Sequence, residues 1–325
     1  MFVLLTGAFG NIGESTLRAL LAQNCRVRCF DLQTKRTEEM ATQLKRYGEF
    51  ETLWGDIRDS SVLKNAVKDI ECIIHLAALI PPPSEVNPAF TKEINIGGTI
   101  NLIKAAEAQP MKPKFILASS ISIFGPTMHL PPPRKATDPL NPTDTYTTTK
   151  VECEKALRAS TLPWTILRFT AVPPLRIEGE VDKMLFEIPL DQRVEFVHTR
   201  DVGIACANAV SADTTKKILL IGGGKSNQML QRDFIGKMLE AMGVGMLPES
   251  AFRVAKKPDE WYYTDWLDTE ESQRLLHYQS RTYEQYVEEL KKAIGFKRHL
   301  ARLFRGSAQK RILNESPYYS QPKTS

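Results

Sequence analysis

The sequence predicts an α/β fold, a doubly wound parallel sheet with a smaller C-terminal lobe. Three observations carry this expectation. Strand-like and helical segments alternate from the first residue, a glycine-rich turn joins the first strand to the first helix, and the alternation breaks down after Phe169. Strands separated by helices need crossovers, so the sheet should be parallel, covered on both faces and connected right-handedly.

Apolar runs give strands at 2–6, 26–31, 50–55, 72–76, 114–119 and 164–169. Between them, apolar residues at helical spacing predict helices at 11–23, 35–47, 60–68, 87–108 and 143–160. Residues 172–198 are Pro-rich and irregular, ending in a strand at 194–198. A helix near 200–211 and a strand at 216–221 return to the main sheet. Residues 227–295 read as mostly helical, with an aromatic stretch at Trp261, Tyr262, Tyr263 and Trp266. The expected organisation is a nucleotide-binding domain over 1–171, rejoined by 199–221. A substrate lobe follows from 172–198 and 222–295, and then a tail, 296–325.

The 325 residues are 42% hydrophobic and 25% charged, a soluble balance with ample length for a large core. No apolar run reaches the length of a membrane span. Met1 leads straight into a strand, so no signal or transit peptide is expected. Five cysteines without a CxxC point to a reduced, cytoplasmic chain with no disulfide framework and no metal site. The net charge of +5 is concentrated in the tail, where 296–325 hold seven Lys/Arg and one acid. The globular part is near neutral, so the basic balance does not point to nucleic acid.

Thr6-Gly7-Ala8-Phe9-Gly10-Asn11-Ile12-Gly13 opens the first helix. Gly7 permits a tight turn, Gly10 lets backbone approach a pyrophosphate, and Gly13 lets helix and strand pack closely. Phosphates would sit on free amides at the positive end of the helix. The spacing is GxxGxxG, not the usual GxGxxG, but the strand–turn–helix setting and Asp31 at the end of the next strand support a Rossmann-type doubly wound parallel sheet. Asp31 can accept hydrogen bonds from the adenosine ribose and repel a 2′-phosphate, which favours NAD; NADP is the less favoured alternative, with Lys35 and Arg36 nearby. Asp56 and Ile57 would flank the adenine.

Tyr146 and Lys150 fall at i and i+4 of a predicted helix, on one face. A free phenol titrates near 10. A nearby ammonium and an oxidised nicotinamide both favour phenolate, so the pair can act as a proton-transfer unit. The preceding strand ends in Ser119-Ser120, where a hydroxyl can orient a substrate oxygen. Three proline-rich loops, at Pro81–Pro83, Pro131–Pro133 and Pro173–Pro174, follow successive strands and should rim the substrate pocket. Arg134 and Arg176 are the cations nearby, either anion binders or solvated side chains.

These pieces together resemble the extended short-chain dehydrogenase/reductase family, the NAD-dependent epimerase/dehydratase group. The matching segments are TGAFGNIG (6–13), GDIRD (55–59), HLAA (75–78), NIGGTINLIKAA (95–106), LASSISIFG (117–125), YTTTK (146–150), LRF (167–169) and FVHTRDV (196–202). The resemblance implies that Tyr146 is the acid/base and that Lys150 binds the nicotinamide ribose and tunes it. Ser120 would be the substrate-oxygen partner, with Ser119 its substitute. Asn95 would brace the long helix near the cofactor, and Leu76, Ala77 and Ala78 would lie beside it, with His75 passing near through its backbone. It also implies a homodimer through the helices at 87–108 and 143–160. The stretch from Val172 to His198 is shorter than the one that holds the nucleotide diphosphate in nucleotide-sugar enzymes of the family.

The expected function is hydride transfer at a hydroxyl or carbonyl carbon of a small-molecule substrate. Its alternatives are a nucleotide-sugar epimerase or dehydratase, and a non-catalytic NAD(P)-binding sensor or scaffold. In the tail, Phe296, Leu300, Leu303 and Phe304 share one helix face between basic residues, and Gly306 is a candidate stop. Docking of this face on the chain's own lobe is favoured over a membrane surface or a solvated extension, with disorder expected beyond Gly306.

Overall fold

The computed structural model describes residues 1–175 and 183–319. In chain order the first half runs β1 (Phe2–Thr6), α1 (Asn11–Ala22), β2 (Arg26–Asp31), α2 (Lys35–Leu44), β3 (Glu51–Trp54), α3 (Ser60–Ala66) and β4 (Cys72–His75). It continues through α4 (Pro83–Val86), α5 (Pro88–Lys92), α6 (Gly98–Glu107), β5 (Lys114–Ser120), α7 (Thr145–Ala159) and β6 (Trp164–Phe169). The second half contains α8 (Met184–Glu187), β7 (Arg193–Glu195), α9 (Thr199–Ser211), β8 (Lys217–Ile221), β9 (Gln228–Leu230) and α10 (Gln231–Ala241). It ends in α11 (Glu270–Leu276), α12 (Tyr283–Ile294), α13 (Lys297–Leu303) and α14 (Arg305–Leu313).

Seven strands form one sheet in the order β3-β2-β1-β4-β5-β6-β8. Every pair in it is parallel. The order reverses between β1 and β4, which opens a crevice at the carboxyl ends of those strands. One core fills the face under α1 and α9, with Val3, Leu5, Leu17, Leu20, Val202 and Cys206 fully buried. The other face is sealed by Leu4, Ile73, Leu102, Phe115 and Leu157. Both faces are apolar because crossover helices cover both, hence the near-continuous hydrophobic strands.

The helix expected over 87–108 is divided. A π-helical turn at Glu93–Gly97 separates α5 from α6. The expected strand at 194–198 pairs over Arg193–Glu195 with β9 in a two-stranded antiparallel sheet, and Phe196 adds a single parallel bridge to Ala171. Residues 242–269, expected within a mostly helical stretch, are loops and single 3₁₀ turns. The lobe has its own cores, one around Phe186, Leu239, Leu247 and Phe252 and one around Phe196, Tyr283 and Tyr286.

The tail departs most from expectation. Gly306 does not stop a helix: α14 runs through it, and Ile312 and Leu313 bury themselves in the first lobe core. Ser316 Oγ donates to Ala251 O at 2.6 Å, and Gln309 Nε2 to Val244 O at 3.1 Å. The face expected to dock, around Leu300 and Phe304, is exposed.

Candidate active site

The glycine turn is shaped by its neighbours. Gly7 has φ +67°, and a Cβ there would stand 2.8 Å from Ala77 N. A Cβ on Gly13 would lie 2.6 Å from the Ala8 carbonyl carbon. Gly10 differs: only Gly7 O, at 3.4 Å, approaches its Cβ direction, so a substituent would project into open space beside the start of α1. No side chain caps α1. The free amides of its first turn follow directly on the carboxyl end of β1, where an anion site would form.

Asp31 is tied to the same turn. One carboxylate oxygen accepts from Phe9 N at 2.9 Å and the other from Leu32 N at 2.9 Å. Burial raises its pKa above the ordinary carboxylate value, and those two N–H groups oppose the rise. The Phe9 ring lies in the core, 5.4 Å from the Trp54 ring. Asn11 Nδ2 donates to Val172 O at 3.1 Å, and Ile12 packs on the first core. Leu76 N donates to Thr6 O, and Ala77 N to Thr6 Oγ1, so Leu76, Ala77 and Ala78 leave β4 half-buried alongside the turn. Asp56 is paired with Arg58 at 2.6 Å, which pulls its pKa down, and Ile57 is buried against Gly98. This open cradle, its uncapped amides and the carboxylate at the end of β2 fit a dinucleotide.

At the carboxyl end of β5, Ser120 meets Tyr146 from α7. Burial holds the phenol above its ordinary pKa, and the nearby Ser120 hydroxyl, itself 2.6 Å from Ser122 Oγ, opposes the rise. Lys150 lies one turn further on, its Nζ 5.6 Å from the Tyr146 ring centroid and donating to Ala118 O at 2.9 Å. Burial lowers the Lys150 pKa. The phenolate expectation rests on this ammonium together with an oxidised nicotinamide; in the chain by itself desolvation is the larger influence on Tyr146.

Several side chains support this pair, and of these only Asn95 is singled out in the sequence as a site residue. Asp144 caps α7 through Thr147 N at 2.7 Å, and Glu85 from α4 accepts from Thr145 N at 3.1 Å and Tyr146 N at 3.0 Å. Asn95 binds Leu79 N through its oxygen at 2.8 Å and Thr149 Oγ1 through its nitrogen at 3.0 Å, tying the β4 loop to α7. Tyr263, stacked on Tyr262 with centroids 4.1 Å apart, is close enough to Asp144 and Glu85 for their charges to raise its pKa further, after burial, to about 12. The α-helical spacing of Tyr146 and Lys150 was legible; Glu85, some sixty residues away, was not.

Two candidate substrate contacts lie elsewhere. Ser119 Oγ is buried and donates to Glu154 at 2.6 Å, which in turn pairs with the buried Arg168 at 2.8 Å. Alternation along β5 sends Ser119 and Ser120 to opposite faces, and Ser119 takes the core side. Arg134 is buried between Asp138 at 3.1 Å and Asp265 at 3.5 Å, so its charge is already paired. Arg176 lies outside the described residues. The Pro131–Pro133 loop is stitched to the lobe by Arg134 N to Trp266 O at 2.7 Å. Pro132 and Pro133 line a cavity of about 770 Å³ with Lys225, Trp266 and Arg274, which Tyr146, Lys150 and Ser120 do not reach.

A parallel seven-stranded sheet with a glycine turn at its switch point defines a nucleotide-binding α/β protein. The chain belongs to the NAD dependent epimerase/dehydratase family, whose model matches residues 3–222. An uncharacterized protein of Sinorhizobium fredii is 28% identical over 245 residues, 70% of this chain and 58% of that protein. A putative UDP-glucose 4-epimerase of Methanocaldococcus jannaschii is 29% identical over 248 residues, 70% of this chain and 78% of that protein. The match thus spans little more than half of the former relative and about three quarters of the latter. Among solved structures, UDP-glucuronic acid 4-epimerase from Bacillus cereus, in complex with UDP-glucuronic acid and NAD, superposes with a TM-score of 0.75 at 20% identity, over 90% of this chain and 99% of that one. UDP-glucose 4-epimerase from Thermotoga maritima gives 0.74 at 21% identity, over 92% and 100%. At such identities the likeness concerns the fold. No helix among the described residues is long and apolar enough to cross a membrane.

Proposed function

We propose that the chain is an NAD-dependent oxidoreductase or epimerase acting at a hydroxyl or carbonyl carbon of a small molecule. The observation that carries this reading is the meeting of Ser120, Tyr146 and Lys150 at the carboxyl end of β5. Bound NAD would supply the hydride acceptor or donor. Asp31 would hold the adenosine ribose and disfavour a 2′-phosphate, and the α1 amides would hold the pyrophosphate. Ser120 would orient the reacting oxygen. Tyr146, protonated in the free chain, would deliver its proton to that oxygen on reduction and recover it on oxidation. Lys150, beneath the ring, would steady the charge that develops on the phenol.

Nucleotide-sugar epimerisation is the second reading, favoured by the 29% identical relative described as a putative UDP-glucose 4-epimerase. The short connection from Val172 to His198 speaks against it. A homodimer through α6 and α7 belongs to the same proposal, and a monomer by light scattering at micromolar concentration would remove it.

The test combines cofactor titration with turnover on alcohols, carbonyls and UDP-glucose. Wild-type protein should bind NADH more tightly than NADPH. Tyr146→Phe should lower turnover by about 10²–10⁴-fold and leave NADH affinity within a few-fold, because the ring remains and only the proton-transfer group is lost. Near-wild-type turnover by this variant removes Tyr146 as the acid/base; cofactor binding without turnover on any substrate favours a sensor.

A further inference from the structure

The tail divides its work between two helices. α14 is the anchored part, through Ile312, Leu313 and the Ser316 and Gln309 hydrogen bonds described above. α13 is held against the end of α10: a Cβ on Gly243 would overlap the Arg298 carbonyl. Arg298 and Ala301 are half-buried on that inner side. At about 100° per residue, this orientation turns Phe296, Leu300 and Leu303 to the opposite side. Their exposures are 73%, 46% and 75%, and Phe304 at the end of the helix adds 62%.

Four large apolar side chains stand in water together on a helix that the fold already holds in place. Around them the charge has one sign: residues 296–314 contain Lys297, Arg298, Arg302, Arg305, Lys310 and Arg311 and no acid. The nearest compensation is weak, with Glu240 3.7 Å from Arg305 on an exposed surface.

We propose that the outer face of α13 docks onto an anionic lipid bilayer surface. Phe296, Leu300, Leu303 and Phe304 enter the interfacial region, and the exposed Lys297 and Arg302 beside them meet the headgroup phosphates. Such a short apolar face gives marginal affinity alone, so the basic residues are required. The usual cost of forming a short helix at the surface is reduced, because α14 and α10 already hold α13 in shape. A second copy of this chain fits less well. A two-fold contact would set this basic patch against itself with few acids beside it.

Flotation of the full chain with vesicles tests the proposal. Vesicles of phosphatidylcholine containing about 30% phosphatidylserine should carry the protein at low salt. Vesicles of phosphatidylcholine alone should bind at least about tenfold less, and about 0.5 M salt should release the protein. Combined Phe296→Ser, Leu303→Ser and Phe304→Ser should lower binding at least about tenfold with an unchanged melting temperature, since these side chains are exposed. Lys297→Gln with Arg302→Gln should also weaken binding and serves if the first variant fails to fold. Absence of binding to the serine-lipid vesicles overturns the proposal. So does equal binding by the variants, or loss of a wild-type oligomer in the serine variant by light scattering.

Discussion

His75 is buried at the end of β4, its Nδ1 2.7 Å from Thr6 Oγ1 and its Nε2 3.0 Å from Thr99 Oγ1. Burial, aided by the Lys150 charge, pushes its pKa down from 6.5 to about 3. A depressed histidine contributes stability that is complete above its unfolded pKa and is lost as pH falls toward the folded value. Between pH 6.5 and 5 the loss is about 2 kcal/mol for this one group. His75→Gln should therefore be less stable than wild type at pH 7, and the gap should narrow by pH 5 in urea unfolding. A gap that does not change with pH means the folded imidazole titrates normally. Ser119 teaches the complementary point. It and Ser120 are adjacent and identical, and only the burial of Glu154 and Arg168 beneath β5 decides which hydroxyl is left for chemistry.

The turn between β1 and α1 separates folding from binding within one heptapeptide. Gly13 is required by close packing on Ala8, and Gly10 faces open space. Gly13→Ala should destabilise the chain by about 3 kcal/mol or more, as overpacking against backbone does. Gly10→Ala should keep the wild-type melting temperature and lose at least about tenfold in NADH affinity, since its methyl occupies the cradle. Equal melting and equal NADH affinity for Gly10→Ala would place the pyrophosphate elsewhere. The division of the helix expected over 87–108 belongs to this scale too. Its sequence is helical throughout. The π turn at Glu93–Gly97 accompanies Asn95 reaching both Leu79 and Thr149, a tertiary demand that periodicity does not record.

In the whole molecule, the lobe is completed by the end of the chain. Ile312 and Leu313 fill a core that also contains Phe186, Leu247 and Phe252. Burying two such side chains contributes about 3–6 kcal/mol at most. Truncation after Gly295 should therefore lower the melting temperature by about 5 °C or more, and Ile312→Ala with Leu313→Ala should reproduce most of the drop. An unchanged melt would mean that α14 adds nothing to the lobe. The α13 serine variant should not share this loss, which separates the helix that holds from the helix that is presented.

The alternation of strands and helices, the glycine turn and the carboxylate after β2 are local patterns, and periodicity with turn chemistry was enough to read them. So was the Tyr146–Lys150 pair, because four residues on a helix always share a face. The tertiary structure alone decided what depends on burial between distant segments. It raised the pKa of Tyr146 by desolvation, delivered Glu85 to the start of α7 and committed Arg134 to Asp138 and Asp265. It also chose Ile312 and Leu313 over the more regular face of α13 as the docking contact. A sequence shows which side chains can leave water; which of them do is decided by the surface the rest of the chain offers.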